Sequence, residues 1–199
     1  MNHASAHAAC AVGALACLFA AGCSTTPEGG FSLNDGATTV MGAPGLSAAD
    51  RHFALVAANS GHYDVMASQL ASAEAADPRL RDLAQSVAQD RQEANQELMT
   101  ILEGRGILPR QGLPPDKQAA MNSLAAREST DFDNQYLRTL GLQDKLSDMR
   151  LLQEASNSIT DPALRTWAVK TLPMLRAHQA AAEELADADR LESDQLALR

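Results

Sequence analysis

Side chains able to do covalent chemistry are scarce in this chain. The cysteines stand at positions 10, 17 and 23, all inside the first 23 residues. No serine lies in a G-x-S-x-G context, and Gly104-Arg105-Gly106 leads into a proline loop instead of cradling a phosphate. A Glu-x-x-His pair, which presents a carboxylate and an imidazole to one metal from a single helix, occurs nowhere. What stands out is His178, at the end of Asp161-Pro162-Ala163-Leu164-Arg165-Thr166-Trp167-Ala168-Val169-Lys170-Thr171-Leu172-Pro173-Met174-Leu175-Arg176-Ala177-His178. Asp161 and Pro162 form a helix start: a carboxylate caps free N–H groups, and proline is tolerated where none is needed. Leu164, Ala168, Thr171, Leu175 and His178 then share one helical face, with the single tryptophan, Trp167, beside it. Read from the residues, His178 is an interior histidine bonded to Asp90 or Tyr136 across a bundle. These three would form a structural polar core that sets helix register.

The elements that must position them begin after an unusual N-terminus. Ala8 to Cys23 is an apolar run too short to span a bilayer, which needs roughly 18 or more apolar residues, and of the length of a secretory h-region. Its end, Leu18-Phe19-Ala20-Ala21-Gly22-Cys23, resembles the lipobox of bacterial lipoproteins. It departs from that pattern at Ala20, where leucine is preferred, and in an n-region with histidines in place of Lys or Arg. The resemblance implies a signal peptide over 1–22 and a lipid on Cys23, and Ser24 resembles the residue of lipoproteins sent to the outer membrane. Cys10 and Cys17 would leave with the signal, so the mature protein would have no free thiol. Residues 23–46, rich in Gly, Ser, Thr and Pro, read as a flexible tether reaching about 25–30 Å. The formal charge of −9 lies beyond residue 23, where the only lysines are Lys117, Lys145 and Lys170. No basic stripe is available to neutralise a phosphate backbone, so nucleic acid is not an expected partner.

Ser47 to Asp50 has the form of a capping box. Phe53, Val56, Tyr63, Met66, Leu70 and Ala73 follow a three/four spacing and predict a first helix to about Ala76, with Gly61 inside it at a cost of roughly 1 kcal/mol. Asp77-Pro78 restarts the chain as a second helix with a stripe of Leu80, Leu83, Val87, Ala94, Leu98 and Ile101. The stripe misses a turn at Asp90 and Arg91, which places one of them inward or close to it. Gly104 and Gly106 end the helix, residues 105–116 form a loop, and a short helix covers Asp116 to Arg127. A third long helix is predicted from Phe132 to about Ser156, with Tyr136, Leu140, Leu146 and Met149 available to the core. The fourth runs from Pro162 to about Asp187 and carries Pro173, which should bend it. Residues 188–199 form a charged tail that frays.

Asp77-Pro78-Arg79-Leu80-Arg81 in the second helix echoes Asp161-Pro162-Ala163-Leu164-Arg165 in the fourth, and each follows a long helix with almost no loop. Two tight hairpins separated by a long connection make an all-α, ferritin-like four-helix bundle over 47–187, with a short extra helix in the crossover. The second helix spans about 39 Å at 1.5 Å per residue, and residues 105–130 can run back along it.

The chain resembles the DUF4142 family of bacterial exported proteins. The matching segments are Leu70-Ala71, Leu83-Ala84, Ala94-Asn95-Gln96-Glu97-Leu98, Phe132-Asp133 with Tyr136, and above all Thr171-Leu172-Pro173-Met174-Leu175-Arg176-Ala177-His178. Where that family commonly has Asp-His in the second and third helices, this chain has Asp90-Arg91 and Gln143-Asp144. Where it commonly has an acidic residue in the first helix, this chain has Met66, with Asp64 nearby. A permissive search for ligands leaves Asp64, Asp90, Asp144 and His178, short of the three or four good donors an iron or zinc site needs. The expectation is therefore a non-enzymatic envelope lipoprotein, structural or partner-binding, with no cofactor and no catalytic residue. It would face the periplasm, be held at the membrane by its lipid anchor and meet an envelope protein partner. The alternative is a metal-binding or redox-protective bundle using iron, manganese or zinc.

Overall fold

The computed structural model describes residues 45–197 apart from 110, and side chains as far as Leu191. The signal-peptide, Cys23 and tether readings lie outside the described residues. Among those described there is no strand, and no helix is long and apolar enough to cross a membrane.

Helices α1 (Ala48–Glu74) and α2 (Pro78–Glu103) form one antiparallel hairpin. A loop and the short α3 (Pro115–Ala125) cross over to the second hairpin. Its first arm is a single rod in three parts: α4 (Ser129–Tyr136), a π-helical stretch (Leu137–Asp144) and α5 (Lys145–Ser158). Its second arm is α6 (Pro162–Ala197), which runs past Asp187 and carries Pro173 inside it without ending there. This is the ferritin-like connectivity, with α2 packed beside α6.

Both hairpin turns are built alike. Asp77 caps α2 through the Arg79 N–H (2.7 Å), and Asp161 caps α6 through the N–H groups of Ala163 (2.9 Å) and Leu164 (3.1 Å). In each D-P-x-L-R segment the leucine, Leu80 or Leu164, is fully buried. The arginine turns back to a carbonyl six residues earlier, Arg81 to Ala75 and Arg165 to Ile159. An aspartate from the opposite hairpin then clasps the turn with both oxygens. Asp133 accepts from Ala76 N (3.0 Å) and Asp77 N (2.8 Å). Asp50 accepts from Thr160 N (3.1 Å) and Asp161 N (3.0 Å), and also from the Thr160 hydroxyl. The shared segment is more than a helix opening used twice, because the aspartate cap, the back-turned arginine and the cross-hairpin clasp recur together at both turns.

The interior has two apolar halves. One gathers Phe53, Leu98, Leu102, Leu152, Leu164 and Trp167, with the Phe53 and Trp167 rings edge to face at 6.1 Å and the indole N–H on Ala94 O (2.8 Å). The other gathers Tyr63, Leu80, Leu124, Phe132, Tyr136 and Leu140 with a run of alanines. Burying each such large side chain contributes about 1.5–3 kcal/mol.

The first helix buries Phe53 and Tyr63 of its predicted face but departs from the rest of it. Its buried side is made of Phe53, Ala57, Ala58, Gly61, Asp64, Ala67 and Ala71, while Val56 and Ala73 point outward and Met66 is only half-buried. Small residues let α1 and α2 approach closely. Gly61 is part of this contact: a Cβ there would lie 2.0 Å from Asn95 Oδ1 on α2.

Candidate functional site

Between the two apolar halves lies a polar layer to which every long helix contributes. Along α1, Asp64 falls between Ala58 of one half and Ala67 of the other; along α2, Arg91 falls between Leu98 and Ala84. Lys145 and Asp148 occupy the same level between Leu140 and Leu152, and His178 lies between Leu175 and Ala182. We call this layer the waist.

Lys145 reaches the waist because of the π-helical stretch. Pairing i to i+5 widens the turn, so the inward line steps 137, 141, 145 by fours before returning to α-helical spacing at Asp148, Leu152 and Ala155. A uniform α-helix would instead have carried Asp144 inward. In the structure Lys145 is 2% exposed and Leu146 41%. Gly141 accommodates the close approach of α6, since a Cβ there would sit 3.0 Å from the Ala182 Cβ.

The waist is an interlocking set of ion pairs, in which Asp64 Oδ1 is the one buried carboxylate oxygen without a hydrogen-bond partner. Lys145 Nζ donates to Asp64 Oδ2 at 2.6 Å. Arg91 Nη2 donates to Asp148 Oδ2 at 2.7 Å, and its Nε lies 2.9 Å from Asp64 Oδ2 without the alignment of a hydrogen bond. Ser60 completes the set by donating to Asp148 Oδ1 at 2.6 Å. Two carboxylates thus meet two cations, all nearly solvent-free. Each ion loses several kcal/mol of hydration on burial, which only this mutual pairing offsets.

The two carboxyls respond differently. For Asp64, burial pushes the pKa up, but the charges of Lys145 and Arg91 and the Lys145 hydrogen bond outweigh it and hold the group below its ordinary value. For Asp148, burial and then the negative charge of Asp64 push upward, and Arg91, Ser60 and Lys145 do not fully counter them. Burial also lowers the Lys145 pKa against the pull of Asp64.

The residues singled out from sequence are dispersed. Asp90 and His178 meet, Nε2 to Oδ2, at 2.8 Å. Burial lowers the imidazole pKa more than the Asp90 bond raises it, and the charges of Lys145 and Arg91 add to the lowering. The neutral ring bonded this way donates from Nε2, leaving a buried Nδ1 lone pair without a partner. Tyr136 is not part of this pair; its hydroxyl shares a 2.8 Å bond with Ser68, and burial pushes its pKa up. Asp144 lies one residue off the inward line and pairs with Lys117 (3.3 Å), whose ammonium also sits 4.5 Å over the Tyr63 ring. Burial and the charges of Asp144 and Asp64 push the Tyr63 pKa up to about 12.

Asp64 alone of the four proposed ligands belongs to the ion-pair set. The sequence reading missed Ser60, Lys145 and Asp148. The one available signal was a lysine and an aspartate three residues apart inside an otherwise amphipathic run. A solvent-open groove of about 680 Å³ between α2 and α6 has Asp90 and His178 in its wall, together with Glu93, Glu97, Lys170 and Met174. Lys170 is tied to Glu97 at 2.6 Å.

These donors do not fit the metal that a ferritin-like bundle suggests. Asp64 Oδ2 already faces two cations, and both Asp148 oxygens accept hydrogen bonds. That leaves the buried Asp64 Oδ1 as a single unpartnered oxygen, too few donors for an ion. Among the described residues no group of three or more His, Cys, Asp or Glu could hold an ion.

Fold and site together define a ferritin-like four-helix bundle whose centre is closed by its own salt bridges. The model of the domain of unknown function DUF4142 matches residues 35–185, and the chain belongs to that family. Among solved structures, a DUF305 fragment from Deinococcus radiodurans is similar, with a TM-score of 0.63 and 13% identity. The match covers 71% of this chain and 97% of that one, a likeness of fold alone. No curated protein matches the chain.

Proposed function

We propose that this DUF4142 protein is a non-enzymatic envelope lipoprotein, held through Cys23 and acting as a structural or partner-binding body facing the periplasm. The observation that supports it is the closure of the waist, where the charged side chains are engaged with one another instead of facing a cavity a substrate could enter. The groove beside it carries a histidine kept neutral near pH 7, tied to a single carboxylate and not to a nucleophile. The anchor rests on Leu18-Phe19-Ala20-Ala21-Gly22-Cys23, and Ser24 supports sorting to the outer membrane.

The test is metabolic labelling with palmitate in cells, followed by membrane fractionation. Wild type should take up label and sediment with the outer membrane, and Cys23→Ser should do neither. An unlabelled wild type removes the anchor from the proposal. Chemical cross-linking in intact cells should give a discrete heavier band that the released Cys23→Ser protein loses.

A further inference from the structure

We infer that Arg91 and Lys145 are built-in counter-cations: the waist is a carboxylate-lined cation site whose cations belong to the chain itself. In ferritin-like bundles with a di-iron centre, inward carboxylates from the helices surround metal ions at mid-bundle. Here α1 and α5 still send carboxylates inward, Asp64 and Asp148, 1% and 6% exposed. An isolated pair of buried carboxylates would be too costly to keep ionised and would demand positive charge. The guanidinium of Arg91 supplies it to both, at 2.9 Å from Asp64 and 2.7 Å from Asp148, and the ammonium of Lys145 supplies it to Asp64 at 2.6 Å. Ser60 takes the remaining oxygen of Asp148 as a neutral donor would beside a metal.

Two further features point the same way. The π-helical stretch is the device that brings Lys145, in place of Asp144, to the inward line. His178, the one imidazole at this level, bonds to Asp90 and is not aligned on either Asp64 or Asp148. The chain has therefore exchanged a dissociable cation for covalently tethered ones, and its folding does not depend on metal supply. With the cations removed, the remaining donors are carboxylate and hydroxyl oxygens, a set that suits Mn²⁺ or Mg²⁺ better than softer metals.

The experiment compares wild type, Arg91→Ala/Lys145→Ala and Lys145→Met, each as the soluble body without its signal peptide and with Cys23→Ser, in EDTA and in MnCl₂. Wild type should carry no stoichiometric metal by mass spectrometry and melt at the same temperature in both. The double variant should melt lower in EDTA, and its Tm should climb with Mn²⁺ concentration as one ion per chain binds. Adding Asp148→Asn to it should abolish that climb. Lys145→Met, which keeps Arg91, should show a smaller rise. Stoichiometric metal in wild type, with a Tm that EDTA lowers, would overturn the inference. So would a double variant indifferent to Mn²⁺, or one unfolded in both solutions while Lys145→Met stays folded and ignores the ion.

Discussion

The two hairpin turns and the waist both rely on buried aspartates, but they use them in opposite ways. At the turns, Asp50 and Asp133 meet mostly backbone N–H donors, neutral groups fixed in place by the turns that lead into α2 and α6. The donors exist because of the local fold, and several share the load. At the waist, Asp64 and Asp148 meet full charges delivered from other helices, Lys145 from 81 residues away in the chain and Arg91 from 57 residues away. Each partner there is needed by the other. Turn clasps should therefore contribute modestly and independently, whereas waist residues should be strongly coupled and expensive to remove singly.

The largest effect should come from Asp64→Ala. It leaves Arg91 and Lys145 buried around a single carboxylate, and losing one partner of a buried pair costs about 3–5 kcal/mol. Asp64→Leu combined with Lys145→Met removes one charge of each sign and should recover much of that loss. Urea unfolding of the two singles and the double gives the coupling energy. Singles that simply add would remove the distinction between waist and turns.

Asp50→Ala and Asp133→Ala should each cost about 1–2 kcal/mol, in the range of a lost helix cap, and the double variant should show their sum. Equal losses support the equivalence of the two turns. The pH dependence differs as well. For Asp50, burial raises the pKa, but the bonds from Thr160, Asp161 and Ser47 outweigh it and lower the net value. Its stabilisation is thus fully present above the unfolded value of about 3.9 and is lost as pH falls through the lower folded pKa. Asp148, whose folded pKa is raised, works the other way: protonation below its folded pKa favours the native state. Acid unfolding of Asp50→Ala should be less steep than that of wild type at the acid end.

How much of this was legible in the sequence follows from the same contrast. The D-P-x-L-R openings, the α2 stripe from Leu80 to Leu98 and the Gly104/Gly106 stop use local rules, and they appear in the structure where those rules put them. Arg91 fills the turn where the α2 stripe lapsed. The inward face of α1 was read only at Phe53 and Tyr63, because alanine, serine and glycine bury the rest of it and small residues give little periodic contrast. The π-helical stretch left no mark in the hydrophobic pattern. The sequence reading took Leu146 into the core and left Lys145 and Asp148 out of it, whereas Lys145 and Asp148 are buried and Leu146 is 41% exposed. Lysine and aspartate default to solvent, and only partners on distant helices reverse that default.

His178 tests the boundary between the two regions, since it sits at the level of the waist but bonds to a half-exposed carboxylate. Burial depresses its pKa, so the unfolded chain takes up the proton first as pH falls below about 6.5. Wild type should lose stability from that pH down to the lower folded pKa. His178→Leu should remove this part of the slope while keeping a folded bundle. A slope unchanged by the substitution would assign it to other groups.

The smallest expected effect lies at Gly61, outside both sets of aspartates. Alanine gains roughly 1 kcal/mol in helix propensity, but its Cβ meets Asn95 Oδ1 at 2.0 Å and Asn95 Cγ at 2.7 Å. These are side-chain atoms, so Asn95 can swing aside, and the net loss in Gly61→Ala should be under about 1 kcal/mol, at the mild end of overpacking penalties. Gly61→Ala with Asn95→Ala removes the obstacle, and Asn95 Oδ1, buried without a partner, disappears with it. The double variant should then be more stable than wild type in urea unfolding. A double variant no better than Gly61→Ala alone would mean that the α1 and α2 backbones, and not Asn95, set the limit there.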